Sequence, residues 1–216
     1  MTEDEARQWL EHSFPVSRET WDRLERYVTH LLAGMDEQNL IAESTRDHIW
    51  ARHIVDSAQL IPLVPPPARE GDLWVDLGAG AGLPGIVIAI LSGYRVIMIE
   101  MRRKRVEFLE RVIAGLRLGN ASVFPGKVER AAPALAQPAS VISARAYAPM
   151  ERLIASALPL AGKNTLWVLP KGQNFQNELD IARSLWQSDA RVEPSLTAPE
   201  SAILVLQNVR KRGGKA

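Results

Sequence analysis

The chain has 216 residues, 46% of them hydrophobic and 24% charged, and its 26 basic residues nearly balance its 25 acidic ones. This length and composition fit one sizeable core and exclude a disordered chain. The lack of cysteine excludes disulfides, thiolate metal sites and cysteine nucleophiles. Its apolar runs fall short of the ~20 residues of a membrane span, and its acidic start has no signal-peptide pattern. We expect a cytoplasmic protein that acts as a monomer, away from membranes.

The charges are unevenly distributed along the chain. Residues 1–70 contain seven arginines, no lysine, 13 carboxylates and all four histidines, whereas residues 71–216 contain 19 basic and 12 acidic residues. A basic body favours a polyanionic partner, although ordinary segregation of surface charge explains the same counts. The histidines show no compact ligand spacing, so we predict no metal site.

Two helices are predicted before residue 71. The apolar residues of Trp21–Met35 have helical spacing, and Ser17 is placed to be the N-cap. A second helix is predicted over Ser44–Leu60, because Ser-Thr-Arg-Asp at its start resembles a capping box. The prolines of Pro65–Pro67 end this segment. We predict that residues 1–70 form a helical segment packed on the core.

Strands and helices alternate after Gly71. Strands are predicted at Leu73–Leu77, Tyr94–Ile99, Ala121–Phe124, Val141–Ser143, Leu166–Leu169, 191–196 and 202–209, and helices at Pro84–Ser92, Arg103–Leu118, 149–160 and 175–187. This alternation predicts an α/β fold with a doubly wound, Rossmann-like sheet, mostly parallel, whose last strands pair antiparallel. The predicted domain covers residues 71–210, and residues 211–216 form a basic tail.

A glycine-rich loop lies between the first predicted strand and the next helix. Asp76 ends the strand, the glycines Gly78, Gly80 and Gly82 follow, and Glu100 ends the second strand. Glycines let a backbone approach a ligand closely, and a carboxylate at the end of the second strand can accept hydrogen bonds from ribose hydroxyls. These five residues predict a site for an adenosine-type nucleotide.

The loop is compatible with two kinds of cofactor. The window Gly80–Gly85 matches the dinucleotide fingerprint G-x-G-x-x-G, which favours a nicotinamide-dependent dehydrogenase. Starting at Asp76, the pattern Asp-x-Gly-x-Gly-x-Gly resembles motif I of class I S-adenosylmethionine-dependent methyltransferases. A carboxylate at Asp76 suits an amino-acid ligand better than a pyrophosphate. A noncatalytic module that binds nucleotide or RNA is a further alternative.

Motifs outside the loop carry a closer resemblance, at His53–Ser57, Gly82–Gly85, Lys104–Leu109, Val128–Glu129, Ala144–Ala146 and Lys171–Gly172. Over about residues 20–210 the chain resembles the small-subunit ribosomal RNA guanine-N7 methyltransferase G family, also called glucose-inhibited division protein B. The resemblance implies a class I methyltransferase fold with S-adenosylmethionine as donor. It implies as acceptor a guanine of the 530 loop in 16S ribosomal RNA or in a small-subunit particle. Methyltransferases acting on another RNA or on a small molecule are the alternatives.

The resemblance also implies site residues. Those matching cofactor positions of the family are Gly78, Leu83, Glu100, Val128, Glu129 and Arg145. Arg145 also matches the acceptor side, and Lys171 is either a loop lysine or a phosphate contact. Because guanine N7 has a free lone pair, no general base is expected, and Arg145 and Lys171 would only position the reactants.

A cluster of cations opens the helix after the second strand, formed by Arg102, Arg103, Lys104 and Arg105. Positive charge is unfavourable at a helix N-terminus, so either Glu100 and Glu107 neutralise it or the cluster binds RNA phosphates. His53 and Asp56 lie three residues apart, which fits a structural hydrogen-bonded pair or an RNA contact.

Overall fold

The computed structural model describes residues 1–213 as seven helices and seven strands with short 3-10 turns. The helices are α1 (Glu3–Ser13), α2 (Arg18–Met35), α3 (Asp56–Ala58), α4 (Gly85–Leu91), α5 (Arg103–Leu116), α6 (Met150–Ala157) and α7 (Phe175–Leu185). The strands are β1 (Leu73–Leu77), β2 (Arg95–Glu100), β3 (Ala121–Pro125), β4 (Ala139–Ala144), β5 (Ala161–Lys171), β6 (Trp186–Pro194) and β7 (Ala202–Lys211). A π-helix (Trp50–Val55) leads directly into α3, and a 3-10 helix (Glu43–His48) precedes it.

All seven strands form one sheet in the order β3-β2-β1-β4-β5-β7-β6. β1 to β5 are parallel to their neighbours, and β7 is antiparallel to both β5 and β6. The predicted doubly wound sheet with an antiparallel C-terminal strand is confirmed. The strand order reverses between β1 and β4, where open α/β sheets bind ligands at the carboxyl ends of their strands.

Helices cover both faces of the sheet. Trp74 and Val141 face a core built with α1, α2, α4 and α5, whereas Val75 and Ile142 face a second core built with α6 and α7. Successive residues of a strand point to opposite faces, so strands buried on both sides read as continuous apolar runs. None of the helices in the described part of the chain combines the length and apolarity that crossing a membrane requires.

The N-terminal helices share the first core with the sheet domain. A Cβ on Gly34 of α2 would lie 2.6 Å from Leu40 and 2.7 Å from Phe108 of α5, so a side chain there would separate the two helices. Tyr27 of α2 donates a hydrogen bond to the carbonyl of Ala81 in the glycine loop, at 2.9 Å. The helical segment therefore supports the loop directly. The domain division near residue 71 stays a prediction.

Two features of the N-terminal segment differ from the sequence predictions. Helix α1 was not predicted, because its described buried residues are only Ala6 and Leu10. The single helix expected over Ser44–Leu60 is wrong: the chain forms a 3-10 helix, a π-helix and α3 there, and no side chain caps the 3-10 helix. The Thr45 hydroxyl donates instead to the carbonyl of Ala42.

The C-terminal boundaries also differ. β6 begins at Trp186, five residues before the predicted start, because α7 passes into the strand without an intervening loop. Lys211 ends β7 and so belongs to the sheet instead of the predicted basic tail. The backbone N–H of Arg212 donates to Leu185 at 2.9 Å. Residues 214–216 of that tail lie outside the described residues.

Candidate functional site

The glycine loop follows β1 with three left-handed residues. Gly78, Gly80 and Gly82 have φ of +63°, +57° and +91°. A Cβ on Gly82 would lie 2.5 Å from Ile86, so this glycine is required by packing. A Cβ on Gly80 would meet only the Arg105 Nη1, at 3.5 Å, and the Gly78 carbonyl, at 3.7 Å. The position of Gly80 is therefore open on the side where a ligand would lie.

Asp76 lies beneath this loop and is fully buried. Its Oδ2 accepts from the Gly85 N–H at 3.0 Å and its Oδ1 from the Ser143 hydroxyl at 3.0 Å, and Trp74 Nε1 donates to the same hydroxyl. Burial raises the pKa of Asp76 to about 7, against the lowering effect of these two hydrogen bonds. The carboxyl group thus ties the start of α4 to β4. Both carboxylate oxygens are thus bound within the protein, and the predicted role of Asp76 toward the ligand stays a prediction.

Glu100 holds the loop from the second strand. Its Oε2 accepts from the Gly80 N–H at 2.9 Å and its Oε1 from the Arg102 N–H at 2.8 Å. Arg105 Nη1 lies 4.0 Å from Oε2, and the side chain of Glu100 is only 4% exposed. The carboxylate is therefore fixed at the end of β2, as a ribose-binding group at this position requires.

A cavity of about 470 Å³, here called the glycine-loop cavity, opens above these residues. It is lined by the loop and by residues of the N-terminal segment and the strand ends, among them Gly78, Gly80, Leu83, Arg102, Arg105, Arg145, Thr45 and His53. Val128 and Glu129 are in the 3-10 helix after β3, Val128 buried and Glu129 exposed. Neither lines this cavity.

Arg145, just after β4, is held by the π-helix and α3. Its Nε lies 3.3 Å from Asp56 Oδ2, and its Nη2 donates to His53 Nδ1 at 3.0 Å and to the Arg52 carbonyl at 3.3 Å. Burial, and then the charges of Arg145 and Arg52, lower the pKa of His53 to about 3. The ring is thus neutral at pH 7, and its Nε2 bonds the Thr45 hydroxyl at 2.7 Å.

A second cavity of about 460 Å³ adjoins the first and shares Arg145 and Ala146 with it. It opens over the carboxyl ends of β4 and β5 and is also lined by Tyr147, Lys171 and Glu178. The Tyr147 ring packs against Gly78, since a Cβ on that glycine would lie 2.6 Å from Tyr147 Cδ2. The segment 145–147 thus forms the wall between the two cavities. It contains Ala146, a non-glycine residue with φ of +49°.

Lys171 and the cation cluster are only partly available to a ligand. Lys171 Nζ is 2.7 Å from Glu178 Oε2 and donates to the Ala148 carbonyl at 3.3 Å. Of the cluster, Arg102 and Arg105 line the glycine-loop cavity, whereas Arg103 pairs with Glu107 at 2.8 Å. Lys104 is exposed.

Sequence reasoning missed four residues of this site, namely Thr45, Tyr147, Glu178 and Thr197. Thr197 donates to Asp56 Oδ1 at 2.6 Å, which joins the β6–β7 connection to the clamp around Arg145. Tyr147 carried a usable signal, because it directly follows the matched motif Ala144–Ala146. The other three come from distant segments and have no local pattern.

The fold and this site define a class I S-adenosylmethionine-dependent methyltransferase. Solved structures of similar fold include fibrillarin of Aeropyrum pernix with S-adenosyl-L-methionine bound, with a TM-score of 0.54 at 16% identity, covering 72% of this chain and 75% of that one. Another is precorrin-6y C5,15-methyltransferase of Geobacter metallireducens, with a TM-score of 0.51 at 12% identity, covering 77% and 88%.

Sequence comparison identifies the family within this class. A model of rRNA small subunit methyltransferase G matches residues 20–203. The ribosomal RNA small subunit methyltransferase G of Zymomonas mobilis subsp. mobilis is 46% identical over 221 residues, covering all of this chain and 98% of the relative. That of Sphingopyxis alaskensis is 48% identical, covering 93% and 84%. The chain belongs to the rRNA small subunit methyltransferase G family.

Proposed function

We propose that this protein is an S-adenosylmethionine-dependent methyltransferase that modifies guanine N7 in the 530 loop of 16S ribosomal RNA. The observation that carries the proposal is the pair of adjoining cavities, one above the glycine loop and one above β4 and β5, which meet at Arg145. A group-transfer enzyme needs such neighbouring sites for donor and acceptor. We propose further that it acts as a monomer in the cytoplasm, on ribosomal RNA or a small-subunit particle.

The glycine-loop cavity fits the cofactor. Its size lies in the range of small-molecule sites, and the open position of Gly80 leaves room for a close ligand. Each oxygen of Glu100 accepts one backbone hydrogen bond and retains a lone pair for a ribose hydroxyl. Gly78, Leu83 and Arg145 would complete the contacts. Val128 and Glu129 are assigned to the adenine end from the family motif.

The second cavity suits the acceptor base. When bound, S-adenosylmethionine supplies an electrophilic methyl group. Guanine N7 has an in-plane lone pair and no proton to lose, so the protein needs only to place the base and exclude water. Arg145, fixed by His53 and Asp56, can orient the base from the wall between the cavities. Lys171 supports this cavity from the end of β5.

The alternatives make different predictions about ligands. A nicotinamide-dependent dehydrogenase would bind NAD at the same glycines, and a noncatalytic module would bind a ligand without transferring a group. Incubation with S-adenosylmethionine labelled in its methyl group and small ribosomal subunits, followed by mapping of the labelled base, tests the proposal. We expect label on one guanine of the 530 loop. Binding of NAD in place of S-adenosylhomocysteine, or label elsewhere, would overturn it.

Gly80 gives a direct test of the cofactor site. A methyl group at this position enters the glycine-loop cavity without a clash inside the protein, so Gly80→Ala should weaken S-adenosylhomocysteine binding at least about tenfold. Its left-handed φ adds roughly 1–2 kcal/mol of strain. Gly71→Ala is the matched control, because Gly71 has φ of +85° and open space around it. Calorimetry should show normal affinity in the control, and equal affinity in both variants would remove Gly80 from the site.

A further inference from the structure

The second cavity contains one carboxylate that the proposed chemistry has not yet used. Glu178 lies in the first half of α7, lines this cavity and is 30% exposed. Lys171 Nζ at 2.7 Å and the Met150 N–H at 3.2 Å both donate to its Oε2. Within residues 1–213, no hydrogen bond is made to its Oε1. An ionised carboxylate oxygen is an acceptor only, so this atom is free for a donor on a ligand.

Further hydrogen bonds hold the Glu178 side chain and its partner Lys171 in place. The Glu178 backbone N–H donates to Asn174, which anchors the start of α7. The side chain of Lys171 is only 9% exposed and also donates to the carbonyl of Ala148, just after the wall between the cavities. Glu178 is thereby tied both to the end of β5 and to the segment that contacts the glycine loop. Two donors from the protein thus position Oε2.

Guanine carries donors that match this acceptor. Its Watson–Crick edge presents N1–H and the exocyclic N2 amine side by side, whereas adenine has an unprotonated N1 at that edge. Enzymes that modify a base commonly read this edge once the base is out of the stack, and aromatic side chains hold its face. Tyr147 provides an aromatic ring on the same cavity.

We propose that Glu178 is a specificity-determining residue that selects guanine, with Oε1 accepting from N1–H and the N2 amine while Lys171 holds Oε2. This inference rests on the proposed function. It leaves N7, on the other side of the base, free for methyl transfer. A purely structural Lys171–Glu178 pair would instead support the cavity without sensing which base is in it.

Glu178→Gln separates these two roles. Lys171 and the Met150 N–H require an acceptor, so the amide oxygen replaces Oε2 and the amide NH₂ points into the cavity. A donor would then face the donors of guanine. The assay compares kcat/KM for an RNA fragment of the 530 loop with that for the same fragment carrying inosine, which retains N7 and N1–H and lacks the N2 amine. Asp180→Asn is the control, because Asp180 is on the same helix but pairs with Arg183 on the surface.

We expect the wild-type protein and the control to prefer guanine over inosine by about tenfold or more. In Glu178→Gln the rate on guanine should fall about 10- to 100-fold and the preference should shrink to about twofold. This ratio does not depend on the folded fraction of the variant. An unchanged preference, with both rates reduced equally, would overturn the role of Glu178 while leaving the proposed function intact. A wild-type protein that binds S-adenosylhomocysteine but methylates neither these fragments nor intact small ribosomal subunits would overturn the proposed function and this inference with it.

Discussion

The guanidinium of Arg145 is fixed at the boundary of the two cavities by the continuous π-helix and α3. Asp56 pairs with its Nε, and His53 accepts from its Nη2 through Nδ1. His53 can accept only while its ring is neutral, which burial and the neighbouring arginines ensure. Protonation of this one ring would therefore place two cations against each other inside the site.

This arrangement predicts a pH-dependent stability. The pKa of His53 is about 3 in the folded state and 6.5 when unperturbed. As the pH falls, the unfolded chain thus takes up the proton first. The contribution of His53 to the free energy of unfolding is therefore present above pH 6.5 and lost as the pH falls. Between pH 7.5 and 5 this loss is about 2 kcal/mol. Asp76 has the opposite effect on stability. Because its pKa is raised to about 7, its contribution to the free energy of unfolding is lost as the pH rises.

The comparison of His53→Gln with the wild-type protein isolates the contribution of His53 to this pH dependence, since Asp76 is the same in both. Glutamine can still accept from Arg145 and donate to Thr45 but does not titrate. Urea unfolding at the two pH values should show a wild-type free energy of unfolding that falls by about 2 kcal/mol more on acidification than that of the variant. His48→Gln, at an exposed position, should behave like the wild type. Parallel changes in all three proteins would refute a neutral buried His53.

The residues with a local pattern lie in the fold where their spacing predicts, and their roles in binding the cofactor stay predictions. The glycines and Glu100 have a defined spacing around one strand–loop–helix unit, so their positions follow from the chain itself. Asp76 ends β1 as its place in the pattern predicts, but its bond to Ser143 depends on the register of β1 against β4, which no local pattern indicates. Glu178 in α7 and Thr197 in the β6–β7 connection reach the site from distant parts of the chain, and no short-range pattern indicates that convergence.

At the scale of elements, the π-helix depends on α1. The Glu3 carboxylate accepts from the Trp50 N–H at 3.0 Å and from the Ala51 N–H at 2.9 Å, so α1 caps the start of the π-helix. The guanidinium of Arg7 lies 4.1 Å from the Trp50 ring centre, on the same contact. The π-helix in turn carries His53 to Arg145. π-helical turns are rare and are frequently found at functional sites.

Glu3→Ala should therefore destabilise the protein by about 1–2 kcal/mol, because two backbone donors lose a charged acceptor. Asp4→Ala is the matched control on the same turn, at an exposed position. Urea unfolding of both variants at pH 7.5 measures the difference. Equal stability of the two variants would show that the cap contributes nothing to the fold.

Helix α1 and the π-helix show where sequence patterns fail at this scale. Thr2 and Glu5 form a capping box at the start of α1, but the helix behind it has few apolar residues and so lacks a clear helical pattern. The segment Ser44–Asp47 only resembles a capping box, because Asp47 stands where the motif has Glu or Gln, and it forms no cap. The difference lies in tertiary contacts, since Thr45 is engaged by His53 and the helix end by Glu3.

At the scale of the whole molecule, the two oppositely charged parts meet along α5. Glu37, after α2, pairs with Arg111 at 2.9 Å, and Arg105 donates to the carbonyl of Asn39 at 3.2 Å. The acidic segment thus contacts α5 through Arg111 and Arg105, whereas Arg103 pairs with Glu107 of its own helix. Arg103, 92% exposed, and Lys104 remain at the carboxyl edge of the sheet, next to the glycine-loop cavity. This distribution favours a phosphate backbone approaching from that edge.

The double variant Arg103→Gln/Lys104→Gln tests this surface without touching the cavity lining, which includes Arg102 and Arg105. If both cations contact phosphates, RNA binding should weaken, and the slope of log affinity against log salt should fall by roughly 1–2. Arg95→Gln/Lys163→Gln removes two exposed cations at the amino ends of β2 and β5 and should leave the slope unchanged. Affinity for S-adenosylhomocysteine should be the same in all three proteins. Removing two cations from the positive end of the α5 dipole should by itself raise the stability. If the first variant shows this gain and an unaltered slope, Arg103 and Lys104 affect the helix and do not contact RNA.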